Sequence, residues 1–284
     1  MYQQESFGEA FKRGYKMIPK GLRYIITANV IIYLLMTIGG STVRGLFINW
    51  FGFYADPFVA FTQPWRLFTY MFLHANLFHI LFNMLWVWWL GKMVEDQLGT
   101  KNFLTIYLGA GIGGALINVV VVSIFGGGEI PTVGASGSVF GIMVVFAMLF
   151  PTFKLMLLLL PPIEARFLVA GLILIDLLFI SASDGIARIV HLGGAFWGFA
   201  LLKMYYRGYN YDAWLTAIGN AFSRKRQKTY TSKNKKMHSV EDAQIVEEEE
   251  QSELDRILDK ISKKGYEGLT ADEKRKLFDL SNKN

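Results

Sequence analysis

The sequence predicts an all-α membrane protein: a bundle of six transmembrane helices followed by a small helical hairpin on the cytoplasmic side. Three observations predict it. The 284 residues are 52% hydrophobic with a mean hydropathy of +0.31, which is too apolar for a soluble domain in a chain too long for a single anchor. Six apolar runs recur along the chain, approximately 22–38, 77–94, 101–125, 135–150, 166–181 and 189–206, against the ~20 helical residues that cross a bilayer core. From about residue 208 the composition turns charged, and two capped amphipathic patterns follow.

Taken in order, residues 1–21 are polar and basic and read as a cytoplasmic segment without a cleavable signal peptide. The first run leads into a loop, residues 39–76, rich in glycine and in aromatics such as Phe47, Trp50, Phe53, Phe58 and Trp65. Such a loop belongs in the membrane interface, half submerged. Residues 91–99, with Glu95 and Asp96, read as a short polar turn joining the second and third runs. The fourth run stops at Pro151, and residues 155–160 are too short to span and read as interfacial before Pro161 and Pro162. Lys and Arg set the orientation. Lys12, Arg13, Lys16, Lys20 and Arg23, then Lys92, Lys101, Lys154 and Arg166, lie on one side, against Arg44, Arg66 and Arg188 on the other. Both termini are therefore expected inside, and residues 22–206 form the core.

Residues 207–250 read as a charged flexible linker ending in four glutamates. In 251–284, Ser252 with Asp255 and Thr270 with Glu273 are capping patterns, Gly265 is a C-cap, and Leu254, Ile257, Leu258, Ile261, Leu277 and Leu280 are apolar. This is the hairpin, a candidate for docking a cytoplasmic partner.

Several function classes drop out. The chain has no cysteine, so disulfides and thiolate metal sites are excluded. Its net charge of +6 collects at membrane flanks and is no nucleic-acid signal. There is no HExxH and no carboxylate at metal spacing from His74 or His79, so no metal and no cofactor are expected. Gly109-x-Gly111-x-x-Gly114 matches a dinucleotide fingerprint in letters, but it lies inside an apolar helix with no strand before it and reads as helix packing. A proton-coupled transporter would carry an internal repeat, and none is visible.

The chemistry concentrates in Ser136, within Gly134-Ala135-Ser136-Gly137, and His191, within His191-Leu192-Gly193-Gly194. A serine needs a base to act as a nucleophile, and histidine is the usual one. Polar groups at membrane depth are costly and therefore functional suspects. With the expected topology, His79, Ser136 and His191 all fall within one to two turns of the outer face. Gly137 with Gly141, and Gly194 with Gly198, give two small-xxx-small faces through which two helices approach closely. His79 and Asn83, spaced i and i+4, share one helix face and with the Ser136 backbone N–H are candidate oxyanion donors. Gly134 keeps bulk away from the serine. Taken singly, each residue has a structural reading: His74 anchors the first loop, and Asp176, an acid near the outer end of its run, reads as an interhelical hydrogen bonder in preference to a proton relay.

These residues resemble the rhomboid family of intramembrane serine proteases. Trp65 and Arg66 resemble its first-loop pair; His74, His79 and Asn83 its H-x4-H-x3-N pattern; Gly91, Glu95 and Gly99 its G-x3-E-x3-G pattern. Gly134 to Gly137 resembles its GxSG motif, with Gly141 as packing partner, and His191, Gly194 and Gly198 its H-x2-G-x3-G. Phe140 stands where many relatives have a tyrosine that packs on the histidine. The resemblance implies a rhomboid-like six-helix bundle in a bacterial inner membrane, with the site toward the outer face. It implies a Ser136–His191 dyad, with His79 and Asn83 at the oxyanion, cleaving transmembrane protein substrates in or beside their membrane segments. The competing reading is a catalytically inactive rhomboid-like protein that binds membrane clients. Such proteins usually lack the serine or the histidine, and both are present here.

Overall fold

The computed structural model describes residues 6–128, 130–157, 161–180, 185–209, 211, 256–263, 265, 268–270 and 272–274. Two compact units divide the chain, residues 1–223 and 224–284.

The first unit opens with a helix inside the stretch expected to be a simple basic flank. α1 (Phe7–Met17) is closed by a capping box, in which Glu9 N–H donates to Ser6 Oγ and Ser6 N–H donates to Glu9 Oε2. Ser6-x-x-Glu9 is the sequence signature of that box. Next comes α2 (Lys20–Ile38). The loop expected over 39–76 is mostly helical: α3 (Gly40–Phe51), α4 (Pro57–Thr62) and α5 (Arg66–Thr69), then a 3-10 turn over Tyr70–Phe72. Asp56 caps α4 by accepting from Val59 N–H at 2.9 Å, with Pro57 at the helix start, where its missing N–H costs nothing. Trp50, Phe58, Phe61, Trp65 and Phe68 of this segment are exposed.

α6 (Leu77–Leu98) and α7 (Thr100–Phe125) follow. They correct the expected polar turn over residues 91–99. α6 continues through Glu95 and Asp96, and Gly99 alone makes the corner, at φ +82°, a left-handed conformation that glycine adopts without steric cost. Glu95 is buried rather than solvated. Its carboxylate accepts from the N–H groups of Gly21 and Leu22, at 2.8 and 2.7 Å, and from Thr100 Oγ1 at 2.7 Å. It thereby satisfies two of the orphan donors that open α2 and complements the positive end of that helix.

α8 (Ser136–Leu149) is followed by a two-stranded antiparallel ladder, β1 (Lys154–Leu155) and β2 (Ile163–Glu164), where an interfacial run was expected. Residues 158–160 lie outside the described ones. α9 (Ala165–Leu178) and α10 (Gly185–Tyr206) complete the unit. The core between these helices is built from Leu22, Val87, Leu90, Phe103, Ile106, Ile142, Phe146 and Leu202. α10 packs chiefly on α7 and α8. The glycines of α7 serve that packing, as the sequence predicts: a Cβ on Gly114 would stand 3.0 Å from Gly194 N. Three described helices, α2, α6 and α7, are long and apolar enough to cross a membrane, and α8 is a shorter apolar helix.

In the second unit, residues 256–263 are helical, and Gly265, at φ +71°, donates its N–H to Ile261 O. This is the expected C-cap. Thr270 and Glu273 form the expected box: Glu273 N–H donates to Thr270 Oγ1, and Thr270 N–H to Glu273 Oε2. Ile257 and Leu269 are buried, and Lys260 pairs with Glu273 at 2.7 Å. Ser252, Leu254, Asp255, Leu277 and Leu280 lie outside the described residues.

Candidate active site

Ser136 is the first residue of α8. The strand of chain leading to it is pinned to the first loop. Phe53 and Thr132 exchange N–H···O bonds at 3.0 and 2.7 Å, and Gly134 N–H donates to Tyr70 O at 3.0 Å. The Tyr70 hydroxyl in turn donates to Gly111 O on α7, so the approach to Ser136 is fixed from two sides. Gly134 sits at φ +124°, and a Cβ there would lie 2.6 Å from Cε1 and Nε2 of His79. Glycine is required at this position on both counts. Its N–H being engaged with Tyr70, Gly134 supports the site by making room for the His79 ring, not by donating.

His191, on α10, faces Ser136. Its Nε2 is 2.7 Å from Ser136 Oγ. The glycine faces bring the two helices to this distance. A Cβ on Gly194 would stand 3.0 Å from Gly137 Cα, and one on Gly198 would stand 2.6 Å from Gly141 Cα. Phe140, one turn along α8 from Ser136, lies flat on the His191 imidazole, with centroids 4.6 Å apart and planes 9° apart. The aromatic face expected at that position is present without a hydroxyl.

The other imidazole nitrogen, Nδ1, is 2.7 Å from Asp176 Oδ2 on α9. Asp176 Oδ1 pairs with Arg188 of α10 at 2.9 Å. Asp176 thus makes the interhelical bond expected of it, and its partner is His191, which the sequence does not indicate. The signal available was that Asp176 is the single acid in the apolar run 166–181.

His79 and Asn83 lie one turn apart on α6. Asn76 caps that helix by accepting from His79 N–H at 2.9 Å. Asn83 Nδ2 donates to His79 O at 2.8 Å, which uses one of its two amide hydrogens. His74 is buried, its ring edge-on to His79 with centroids 5.0 Å apart, and among the described residues neither ring nitrogen makes a hydrogen bond that would anchor the first loop. Ser138, buried beside Ser136, meets Met71 Sδ at 3.1 Å. Trp65 and Arg66 stand apart from these groups and hold the first loop. Trp65 Nε1 donates to Trp50 O at 3.0 Å, while the buried Arg66 guanidinium donates to Gly52 O at 2.8 Å, Asn49 O at 2.6 Å and Gln63 Oε1 at 2.6 Å. Glu95, described above, is likewise structural. No group of three or more His, Cys, Asp or Glu suited to a metal occurs among the described residues.

The arrangement is that of a serine hydroxyl at hydrogen-bond distance from an imidazole nitrogen, within a multi-pass membrane protein. The model of the Rhomboid domain matches residues 62–208, and the chain belongs to the rhomboid family. A second model, a family of unknown function (DUF6576), matches residues 246–283. The chain is similar to the rhomboid protease GluP of Bacillus subtilis, 32% identical over 174 residues, which cover 61% of this chain and 32% of that protein. It is also similar to the rhomboid protease GlpG of Salmonella paratyphi A and of Salmonella typhi, 41% identical over 83 residues, which cover 29% of this chain and 28% of theirs. The chain thus spans about a third or less of the length of these curated relatives.

Proposed function

We propose that this protein is an intramembrane serine endopeptidase working through Ser136 and His191. The observation that carries the reading is the 2.7 Å separation of Ser136 Oγ and His191 Nε2, on helices whose glycines permit it. In the reaction, Ser136 Oγ attacks the scissile carbonyl carbon while His191 Nε2 takes the hydroxyl proton. The carbonyl oxygen becomes an oxyanion, received by His79, the remaining Asn83 amide hydrogen and the Ser136 N–H. That N–H opens α8 and has no intrahelical acceptor. Collapse expels the amine, which takes the proton from His191. Water, deprotonated by His191, then attacks the acyl carbon; the ester bond to Ser136 Oγ breaks, His191 returns the proton to that oxygen, and the carboxylic acid fragment leaves.

The same reading places six helices, α2 and α6 to α10, across the membrane, with both termini cytoplasmic and Ser136 toward the outer face. Substrates are transmembrane proteins cut in or beside their membrane segments. A substrate helix has to unwind to expose a peptide bond, so glycine or proline near its outer end favours cleavage. Tyr211, inside the stretch expected as linker, is buried and its hydroxyl donates to Leu201 O at 2.7 Å, so the linker is read as starting after it. Residues 212–255 lie outside the described ones, and 251–284 are read as a hairpin that docks a cytoplasmic partner. The test is labelling with a serine-directed fluorophosphonate together with cleavage of a model transmembrane substrate. Wild type should label and cleave, and Ser136→Ala should do neither.

A further inference from the structure

His191 is held at every edge. Ser136 Oγ lies at Nε2, Asp176 Oδ2 at Nδ1, and Phe140 covers one ring face. For Nε2 to take a proton from Ser136 it must present a lone pair, so the neutral imidazole has to carry its hydrogen on Nδ1. That tautomer is favoured only where Nδ1–H has an acceptor. An ionised carboxylate accepts and cannot donate. Asp176 therefore selects the one tautomer in which His191 is a base toward Ser136.

The carboxylate is itself fixed. Arg188 holds Oδ1 while Oδ2 faces His191, and Asp176 is 6% exposed. A carboxylate so far removed from water is tolerated only when paired. The charge is paired, yet it is aimed at the imidazole rather than closed wholly on the arginine. α9 makes the placement more telling. It buries only Ala165, Val169 and Asp176, and Leu174, Ile175, Leu177 and Leu178 around the acid are exposed. The outer end of α9 reaches the bundle through this polar contact.

We propose that Asp176 is a positioning residue for His191: it accepts from Nδ1–H, fixes the tautomer and orientation of the base, and stabilises the imidazolium formed when Ser136 loses its proton, with Arg188 holding the carboxylate in place. The Ser136–His191 pair is then oriented by Asp176, the three groups coming from α8, α10 and α9. This rests on the protease reading, and it extends the pair to a third group that the sequence motifs do not contain.

The experiment uses the full chain in detergent micelles, with each variant's active sites counted by fluorophosphonate burst. Asp176→Asn keeps the shape and loses the charge. Its kcat per active site should fall about 10- to 100-fold, the scale for losing a group that orients a working histidine, with KM within about a factor of two of wild type. Asp176→Glu should recover part of the loss. Arg188→Gln breaks the ion pair but leaves the Nδ1 acceptor, so it should lower the melting temperature more than it lowers kcat. If Asp176 merely fastens α9, Asp176→Asn and Arg188→Gln will both melt earlier while kcat per site stays at the wild-type value; that result overturns the proposal. A second readout is independent of proteolysis. In 15N-histidine NMR spectra, with His191 assigned by its loss in His191→Gln, wild type should show the Nδ1–H tautomer and Asp176→Asn should not. An Nε2–H tautomer in wild type overturns the inference. A wild type that shows the Nδ1–H signal yet hydrolyses nothing overturns the protease reading and leaves the Asp176–His191 assignment standing.

Discussion

At the scale of single residues, the candidate oxyanion donors give the sharpest gradation. One lost donor costs about 2.7–4 kcal/mol of transition-state energy, or ~10²–10³ in rate. His79→Ala or Asn83→Ala should therefore slow turnover well short of the complete loss expected in Ser136→Ala, with kcat rather than KM carrying the change. If folded His79→Ala and Asn83→Ala enzymes both turn over at the wild-type rate, the two residues serve packing alone. Ser136, His191, His79 and Asn83 were legible because each sits in a short pattern of glycines or helical spacing that a single sequence displays. The Asp176–His191 bond was not. Its partners lie 15 residues apart on different helices, and no local periodicity records how α9 is rotated against α10. Gly134 was read as keeping bulk away from Ser136; the side chain a Cβ there would meet is the His79 ring, from another helix.

At the scale of elements, α2 is held by a residue distant in sequence. Glu95 accepts two N–H groups from the first turn of α2, 74 and 73 residues away. Hydrogen bonds to charged groups contribute about 1.5–3 kcal/mol, so Glu95→Ala should lower the detergent melting temperature by several degrees; an unchanged melting curve would refute this role. The close helix contact predicts a second effect. Gly198→Val would drive a side chain into the Gly141 backbone, part α8 from α10, and lose both stability and Ser136 labelling. Wild-type labelling by that variant would show that the Gly faces are not what sets the Ser136–His191 distance. Hydrophobic runs located α2 and α6 to α10 to within a few residues at most boundaries. They did not locate α1, α3 or the β1–β2 ladder. α1 and α3 sit in stretches that carry no long apolar run, and two-residue strands have no period to detect. The expected polar turn at 91–99 failed for a definable reason: Glu95 and Asp96 looked solvated because their charge is visible in sequence, whereas the helix end that receives Glu95 is not.

At the scale of the whole molecule, the two units separate chemistry from tail. Ser136, His191, Asp176, His79 and Asn83 all lie inside the first unit, residues 1–223. Truncation near residue 222 should therefore leave proteolysis of a model substrate in detergent nearly intact. A truncated enzyme that stays folded but loses most of its activity would show direct regulation by the tail. Within the second unit, Lys260 beside Glu273, with the Thr270 N–H and hydroxyl, draws that carboxyl down from 4.5 to about 2. A carboxyl depressed in the folded state stabilises it above the unfolded value and ceases to do so as pH falls through the folded one. The Lys260–Glu273 contribution should thus be full above about pH 4.5 and fade as pH approaches 2. Carboxyl NMR of the full chain checks this, and an ordinary titration of Glu273 would contradict it. The capping box at Thr270-x-x-Glu273 was legible because a cap is a local device. The Lys260 pairing, made across a turn, was not.

The central claim, that Ser136 and His191 act as one hydrolytic unit, is tested most directly by reconstituting wild type, Ser136→Ala and His191→Ala in lipid vesicles with a transmembrane substrate and measuring cleavage rates. The account predicts cleavage by wild type, and loss of activity to the background of empty vesicles in both variants, because members of such a unit are not additive. Undiminished proteolysis by folded, membrane-inserted Ser136→Ala protein would contradict it.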